Sequence, residues 1–265
     1  MQKIKHNPRL CGIIWHERVM FMRKEIICCP PGSDAIQYAA TYLSSLGFQI
    51  TGAPAPDVTH LLLPVPTMPA AGAYLEPLLE ELPEDLTVCG GNLDLPSLSK
   101  YRTVDFLQDP YYLADNAAIT AECALRIMDS QLTTSLDANR ILILGWGRIG
   151  KCLGQLLRSR GADVTIAARK DADLALIHAL GYHHLPIRDA AKEAEHFDII
   201  FNTVPEMILP DYQGRPSQTA IELASKPGMA GSSIISARGL PGKMAPKQSG
   251  ILISQTFIRL ALKKE

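Results

Sequence analysis

The chain carries almost no charge excess: 26 Lys and Arg stand against 27 Asp and Glu in 265 residues, a formal net charge of −1. That balance offers neither the basic surplus of a nucleic-acid binder nor an acidic tail. Long hydrophobic runs are missing too. No stretch approaches the roughly 18–20 apolar residues that span a bilayer, so no membrane-spanning helix is expected. Residues 1–24 hold basic side chains but no continuous apolar core with a small-residue cleavage site, and are not read as a signal peptide. Cysteine is sparse and scattered (Cys11, Cys28, Cys29, Cys89, Cys123, Cys152), without a C-x-x-C or metal-ligand spacing. Buried thiols in a reducing cytoplasm are therefore expected, and no metal site. The adjacent His183 and His184 would point to opposite faces of a strand, which suits chelation poorly.

What is present centres on residues 140–169. Residues 141–144 form a short apolar run, the pattern of a strand buried on both faces. Gly145, Gly147 and Gly150 follow in G-x-G-x-x-G spacing, interleaved with Trp146, Arg148 and Ile149. The first glycine permits a tight turn, the second lets backbone approach a pyrophosphate, and the third lets a helix pack on the strand. Ile149, Cys152, Leu153, Leu156 and Leu157 then recur on one helical face. Gly161 closes that helix, and 164–168 reads as the next strand. A helix N-terminus placed in this way offers N–H groups and partial positive charge to a diphosphate.

The end of that second strand lacks the carboxylate that an NAD-preferring fold usually sets against the ribose 2′-OH. Ala168, Arg169 and Lys170 stand there instead. Guanidinium matches phosphate oxygens in bidentate fashion, so NADP is expected over NAD. Asp171 lies close enough in sequence to neutralise one of the cations.

The rest of the chain alternates strands and helices. Strands are expected at 25–29, 48–51, 61–63, 87–89 and 102–105. A helix N-capped by Ser33 follows the first of them, with Ile36, Ala39, Ala40, Leu43 and Leu46 on one face. A second helix is expected near 74–82, and a linker helix at 116–130. After Arg169 come a helix at 172–180 and strands at 182–185, 199–203, 219–223 and 233–236. A last helix is expected at 249–262. The fold class is α/β with two domains: a Rossmann-type doubly wound parallel sheet preceded by a smaller flavodoxin-like α/β domain. The expected divisions are a non-periodic extension over 1–22, a substrate domain over 23–115, an NADP-binding domain with its linker helix over 116–248, and a helix over 249–265 that packs back on the first domain. Ligands in such sheets sit beyond the carboxyl ends of the strands. That rule nominates the loops at 202–205, 224–228 and 237–242, and the linker-helix segment near 116–122, as the walls of a cleft.

Several blocks in these loops resemble the family of the dipicolinate synthase A subunit, over nearly the whole chain after about Lys24. They are Leu63-Pro64-Val65; Asn116-x-x-x-Thr120-x-Glu122; Gly145 to Gly150; Ala168-Arg169; Asn202-Thr203-Val204-Pro205; Leu223-Ala224-Ser225-Lys226-Pro227-Gly228; and Gly239 to Lys247. The C-terminal blocks are specific in combination, whereas the glycine motif and Asn-Thr-Val-Pro are shared with many dehydrogenases. The resemblance implies an NADP-linked oxidation of dihydrodipicolinate to dipicolinate, the pyridine dicarboxylate of spores. It also implies a second, different subunit beside this one; a homo-oligomer is expected as well. The chain departs from the family pattern at Ile119 (proline there) and at Cys123 (glycine there). In the first loop, Pro31-Gly32-Ser33-Asp34-Ala35 lacks the family's arginine, and Lys226 replaces an arginine-like position.

That reaction needs a positioned hydride acceptor, a base and cations for two carboxylates. Asn202, Thr203, Val204, Pro205, Ala224 and Ser225 are expected to position the cofactor. Glu122 is the candidate base, its pKa raised by burial beside the cleft; the plain alternative is a helix N-terminal carboxylate paired with a lysine. Lys226, Arg238 and Lys247 are candidate carboxylate clamps. Asn116 and Thr120 either bind substrate or cap the linker helix. Two alternatives stand beside this reading. One is an NADP-binding subunit without catalysis. The other is a 2-hydroxyacid dehydrogenase, which needs a histidine that the nominated loops lack.

Overall fold

A computed structural model describes residues 25–67 and 72–262. The extension read over 1–22 and Cys11 lie outside them. The chain divides into two compact units, 1–112 with 246–265, and 113–245.

The first unit opens with β1 (Ile26–Cys28), α1 (Asp34–Ser45), β2 (Gln49–Thr51), β3 (His60–Leu62), α2 (Gly72–Glu80), β4 (Thr87–Gly90) and β5 (Arg102–Asp105). The five strands are parallel in the order β2-β1-β3-β4-β5, the flavodoxin-like arrangement. In α1 the buried residues Ala35, Ile36, Ala39 and Leu43 recur every three to four positions and form one stripe. Ser33 is its N-cap by backbone conformation, but its side chain makes no capping bond. The first turn is held by Gln37 N–H donating to the Ser33 carbonyl at 3.0 Å.

The second unit contains most of α3 (Pro110–Gln131), then β6 (Arg140–Leu144), α4 (Arg148–Ser159), β7 (Asp163–Ala168), α5 (Asp171–Ala179), β8 (His183–Pro186), α6 (Ala190–Glu193), β9 (Ile199–Asn202), β10 (Leu209–Gln213), β11 (Thr219–Glu222), β12 (Met229–Ser232), β13 (Ile234–Ser236) and α7 (Leu240–Met244). Its main sheet is parallel, in the order β13-β11-β9-β6-β7-β8, the doubly wound Rossmann order. The apolar run in β6 is buried on both faces. Ile141 and Ile143 join one core, with Leu153, Leu157 and Phe201; Leu142 and Leu144 join the other, with Ile200 and Ala220. Fully burying one such side chain contributes about 1.5–3 kcal/mol. In α4, Leu153 and Leu157 point inward while Gly150 and Gly154 let the axis approach the sheet.

Two features differ from the sequence reading. The strands β10 and β12 form a separate two-stranded parallel pair that periodicity did not show, because Pro210 interrupts one and Gly231 the other. A Cβ at Gly231 would lie 1.9 Å from the Tyr212 carbonyl oxygen, so only glycine permits this pairing. The linker helix also starts at Pro110, six residues before the expected Asn116. Its cap is Asp109, whose carboxylate accepts the Tyr112 N–H at 2.6 Å, with Pro110 in the favoured first position.

The last helix among the described residues, α8 (Pro246–Leu260), belongs to the first unit and packs on α1. Gly250 makes the approach possible: a Cβ there would come within 2.6 Å of the Ala35 carbonyl oxygen and of Tyr38 Cβ. Ser254 Oγ donates to the Ala39 carbonyl at 3.2 Å. Arg259 closes a bidentate pair with Asp109 at 2.8 and 2.6 Å, and its guanidinium stands 5.3 Å from the Tyr111 ring centre.

Candidate dinucleotide site

The glycine turn has a distinct reason for each glycine. Gly145 follows β6 with φ +104, and a Cβ there would lie 2.6 Å from Thr203 Oγ1 and 2.8 Å from Val204 Cγ2. A Cβ on Gly150 would stand 2.2 Å from the Gly145 carbonyl oxygen, so the helix can seat on the turn only without a side chain. Gly147 is the opposite case: nothing lies within 4 Å of where its Cβ would be. It is the N-cap residue of α4, and no side chain caps the helix. The first i→i−4 bond is Lys151 N–H to the Gly147 carbonyl at 2.9 Å. The N–H groups of Arg148, Ile149 and Gly150 therefore have no acceptor within the helix. Open space, unpaired donors and the helix dipole meet at one point, and a diphosphate fits there. The Trp146 side chain is half-buried. Its ring packs edge-on to Tyr182 at 5.9 Å, with the Lys151 ammonium 5.7 Å from the ring centre. Ile149 turns into the core, and the Arg148 side chain is exposed.

At the adjoining strand end, Ala168 is buried and Arg169 and Lys170 are exposed. The neutralising group is not Asp171, which sits in the first turn of α5. It is Glu206, whose Oε1 lies 3.5 Å from Arg169 Nη1. Glu206 comes from the loop after β9; β9 and β7 flank β6, so this carboxylate reaches across the central strand's end.

The loops after β9 and β11 are tied by a carboxylate that the sequence reading overlooked. Glu222, 3% exposed, ends β11. Its Oε1 accepts from Asn202 Nδ2 at 2.8 Å and Ala224 N–H at 2.9 Å; its Oε2 accepts from Gly228 N–H at 2.8 Å, Met229 N–H at 3.2 Å and Asn202 Nδ2 at 3.0 Å. Asn202 is fully buried, and its Oδ1 also accepts the Val204 N–H at 3.0 Å. The Thr203 hydroxyl donates to the Leu144 carbonyl at 2.8 Å. Asn202 and Thr203 thus build the loop with their polar atoms, and what they offer a ligand is shape. An acid inside a strand rich in apolar residues was the available signal for Glu222.

Ser225 is exposed, and its carbonyl accepts from the Arg238 guanidinium, which joins the 224–228 and 237–242 loops. Lys226 is exposed on the same loop, and Lys243 Nζ donates to the Arg238 carbonyl at 3.1 Å. Lys247 is exposed in the first turn of α8, in the other unit. Glu122 is neither buried nor near a helix N-terminus: it is exposed in the middle of α3, so the burial on which its raised pKa rested is absent. Thr120 is buried, and its hydroxyl donates to the Asn116 carbonyl at 2.8 Å, one turn back in the same helix. Asn116 is half-buried and caps nothing.

Among the described residues, no histidine lies in the nominated loops: His60 is in β3, His178 in α5, His183 and His184 in β8, and His196 precedes β9. Burial pushes the His60 imidazole pKa down and pushes the Cys28 and Cys29 thiols up, to about 11 and about 12. No helix among the described residues is long and apolar enough to cross a membrane.

Residues 135–218 match the family model for the NADPH-binding domain of acetohydroxy acid isomeroreductase. The dipicolinate synthase A subunit of Bacillus subtilis (strain 168) is 28% identical over 156 residues, covering 55% of this chain and 52% of that protein. The resemblance to the dipicolinate synthase A subunit holds. The match spans about half the length of that curated relative. In fold, the crystal structure of the dipicolinate synthase A subunit from Bacillus halodurans superposes with a TM-score of 0.78 at 21% identity, covering 91% of this chain and 99% of that one. A transhydrogenase from Sinorhizobium meliloti gives 0.69 at 13% identity, covering 92% and 87%. Together with the glycine turn, these likenesses give the second unit the fold of an NADPH-binding domain.

Proposed function

We propose that this chain is an NADP-dependent oxidoreductase that converts dihydrodipicolinate to dipicolinate (pyridine-2,6-dicarboxylate). It works with a second, different subunit, since its relative is by name one subunit of a synthase. The observation that carries the cofactor half is the open, uncapped turn at Gly147. The substrate half rests on the 156-residue match to the dipicolinate synthase A subunit.

In this reading the backbone of Gly145–Gly150 and the N-terminus of α4 hold the diphosphate. Ala168, Arg169 and Lys170 receive the adenosine end, with Arg169 on the 2′-phosphate. The loops at 202–205 and 224–225 shape the nicotinamide end. The nicotinamide, when bound, supplies the hydride acceptor. The dihydro ring also gives up a proton as it becomes aromatic. Glu122 is proposed to take it, through placement rather than burial. Lys226 and Arg238 are proposed to meet the substrate's carboxylates by charge-assisted bonds. Asn116, whose side-chain amide is not needed as a cap, is proposed as a further polar contact. The hydroxyl of Thr120 is already engaged within α3, which leaves only its methyl for contact.

A second reading, an NADP-binding subunit without catalysis, is favoured by the exposed Glu122 and by a first loop without arginine. Absorbance of NADPH, followed after mixing the chain with NADP and dihydrodipicolinate, with and without a second subunit, separates the two. NADPH formation supports the synthase; tight NADPH binding with no turnover in either mixture supports the binding subunit.

A further inference from the structure

A carboxylate taken out of water is costly unless several donors meet it. Glu222 meets this condition in an unusual way. Its donors are one side-chain amide and three backbone N–H groups, drawn from the end of β9, the loop after β11 and the start of β12. An ionised carboxylate only accepts hydrogen bonds, so these loops are folded around an acceptor. Gly228 completes the fit: a Cβ there would lie 2.3 Å from Asn202 Nδ2 and 2.6 Å from the Val204 carbonyl oxygen. The loop after β9 reaches the glycine turn through Val204, packed where a side chain on Gly145 would be. The strands β9, β11 and β13 form the second mononucleotide half of the doubly wound sheet, and the glycine turn and Arg169 serve the first.

We propose that Glu222 is a positioning residue for the nicotinamide half of the dinucleotide. Its buried carboxylate fixes the mutual placement of residues 202–204 and 224–229, and the nicotinamide half meets the surface so formed. The inference rests on the dinucleotide reading above. It separates two halves of one ligand: the adenosine half is held by Gly145–Gly150 and Arg169 and does not depend on Glu222.

The test is binding, measured by calorimetry on the full chain, of NADPH against its adenosine fragment 2′,5′-ADP, with NADH against ADP in parallel. Glu222→Gln keeps the shape but turns an amide NH2 toward N–H donors. It should weaken the whole dinucleotide by about tenfold or more, and the fragment by less than about twofold. Equal loss for dinucleotide and fragment marks a general structural role and overturns the proposal, as does no loss for either. Where Glu222→Gln does not fold, Asn202→Ser removes one donor and leaves three, and the same split is expected at about threefold. A wild-type chain that binds neither dinucleotide nor fragment overturns the underlying reading. A wild type that binds both, with variants that behave like it, overturns the positioning role alone.

Discussion

Arg169 projects from the end of β7 with 72% of its side chain exposed, and its partner Glu206 is 65% exposed. An ion pair that open contributes about 0–1 kcal/mol, so a 2′-phosphate can draw the guanidinium away from it. Arg169→Ala should therefore weaken NADPH about tenfold and NADH hardly at all in a fluorescence titration; equal losses would refute the NADP preference. Glu206→Gln removes a negative charge beside the same point. It should tighten NADPH by about threefold and leave NADH unchanged, and an unaltered ratio would show that the carboxylate does not reach the phosphate. Arg169 was legible because the Rossmann rule names its position. Glu206 was not, since only the strand order brings the loop after β9 to the end of β7. Glu122 shows the converse: its acidity was legible, but its place in the middle of α3 depended on a helix start at Pro110, six residues before the expected one.

At the scale of elements, the spacing of three glycines was enough to place a strand, a turn and a helix, and the structure assigns the glycines unequal tasks. Gly147 has ordinary extended dihedrals and open space. Gly147→Ala should thus change the melting temperature little, costing a few tenths of a kcal/mol to about 1 kcal/mol at an N-cap, while its methyl enters the space offered to a diphosphate and cuts dinucleotide affinity. Gly150→Ala forces a Cβ against the Gly145 carbonyl and should cost about 1–3 kcal/mol as overpacking. Thermal melts with and without NADPH check both; a Gly147→Ala chain that binds as well as wild type would remove the turn from the site. What could not be read at this scale was the pair β10 and β12. Neither is long or alternating enough to stand out, and their pairing depends on Gly231 allowing a backbone to come close.

For the whole molecule, alternating strands and helices made the doubly wound class legible, because a parallel sheet buried on both faces writes apolar runs such as 141–144 into the chain. The order of the strands was not written there, since order follows from long-range packing. Nor was the pair that joins residues 109 and 259 within the first unit, on either side of the inserted second unit. The Arg259 guanidinium, helped by the Tyr112 N–H, holds the Asp109 carboxyl below the usual carboxylate range. A carboxyl whose pKa is lower folded than unfolded binds fewer protons in the folded state. Its stabilisation is then fully present above the unfolded value of about 4 and is lost as pH falls through the folded value. Asp109→Asn keeps an acceptor for the helix cap but removes the charge. It should lower unfolding free energy at about pH 7 by about 1–3 kcal/mol. In urea titrations the gap between variant and wild type should close as the pH drops below about 4. A gap that stays constant down to acid pH would mean that the charge on Asp109 plays no part in fastening α8 to the start of α3.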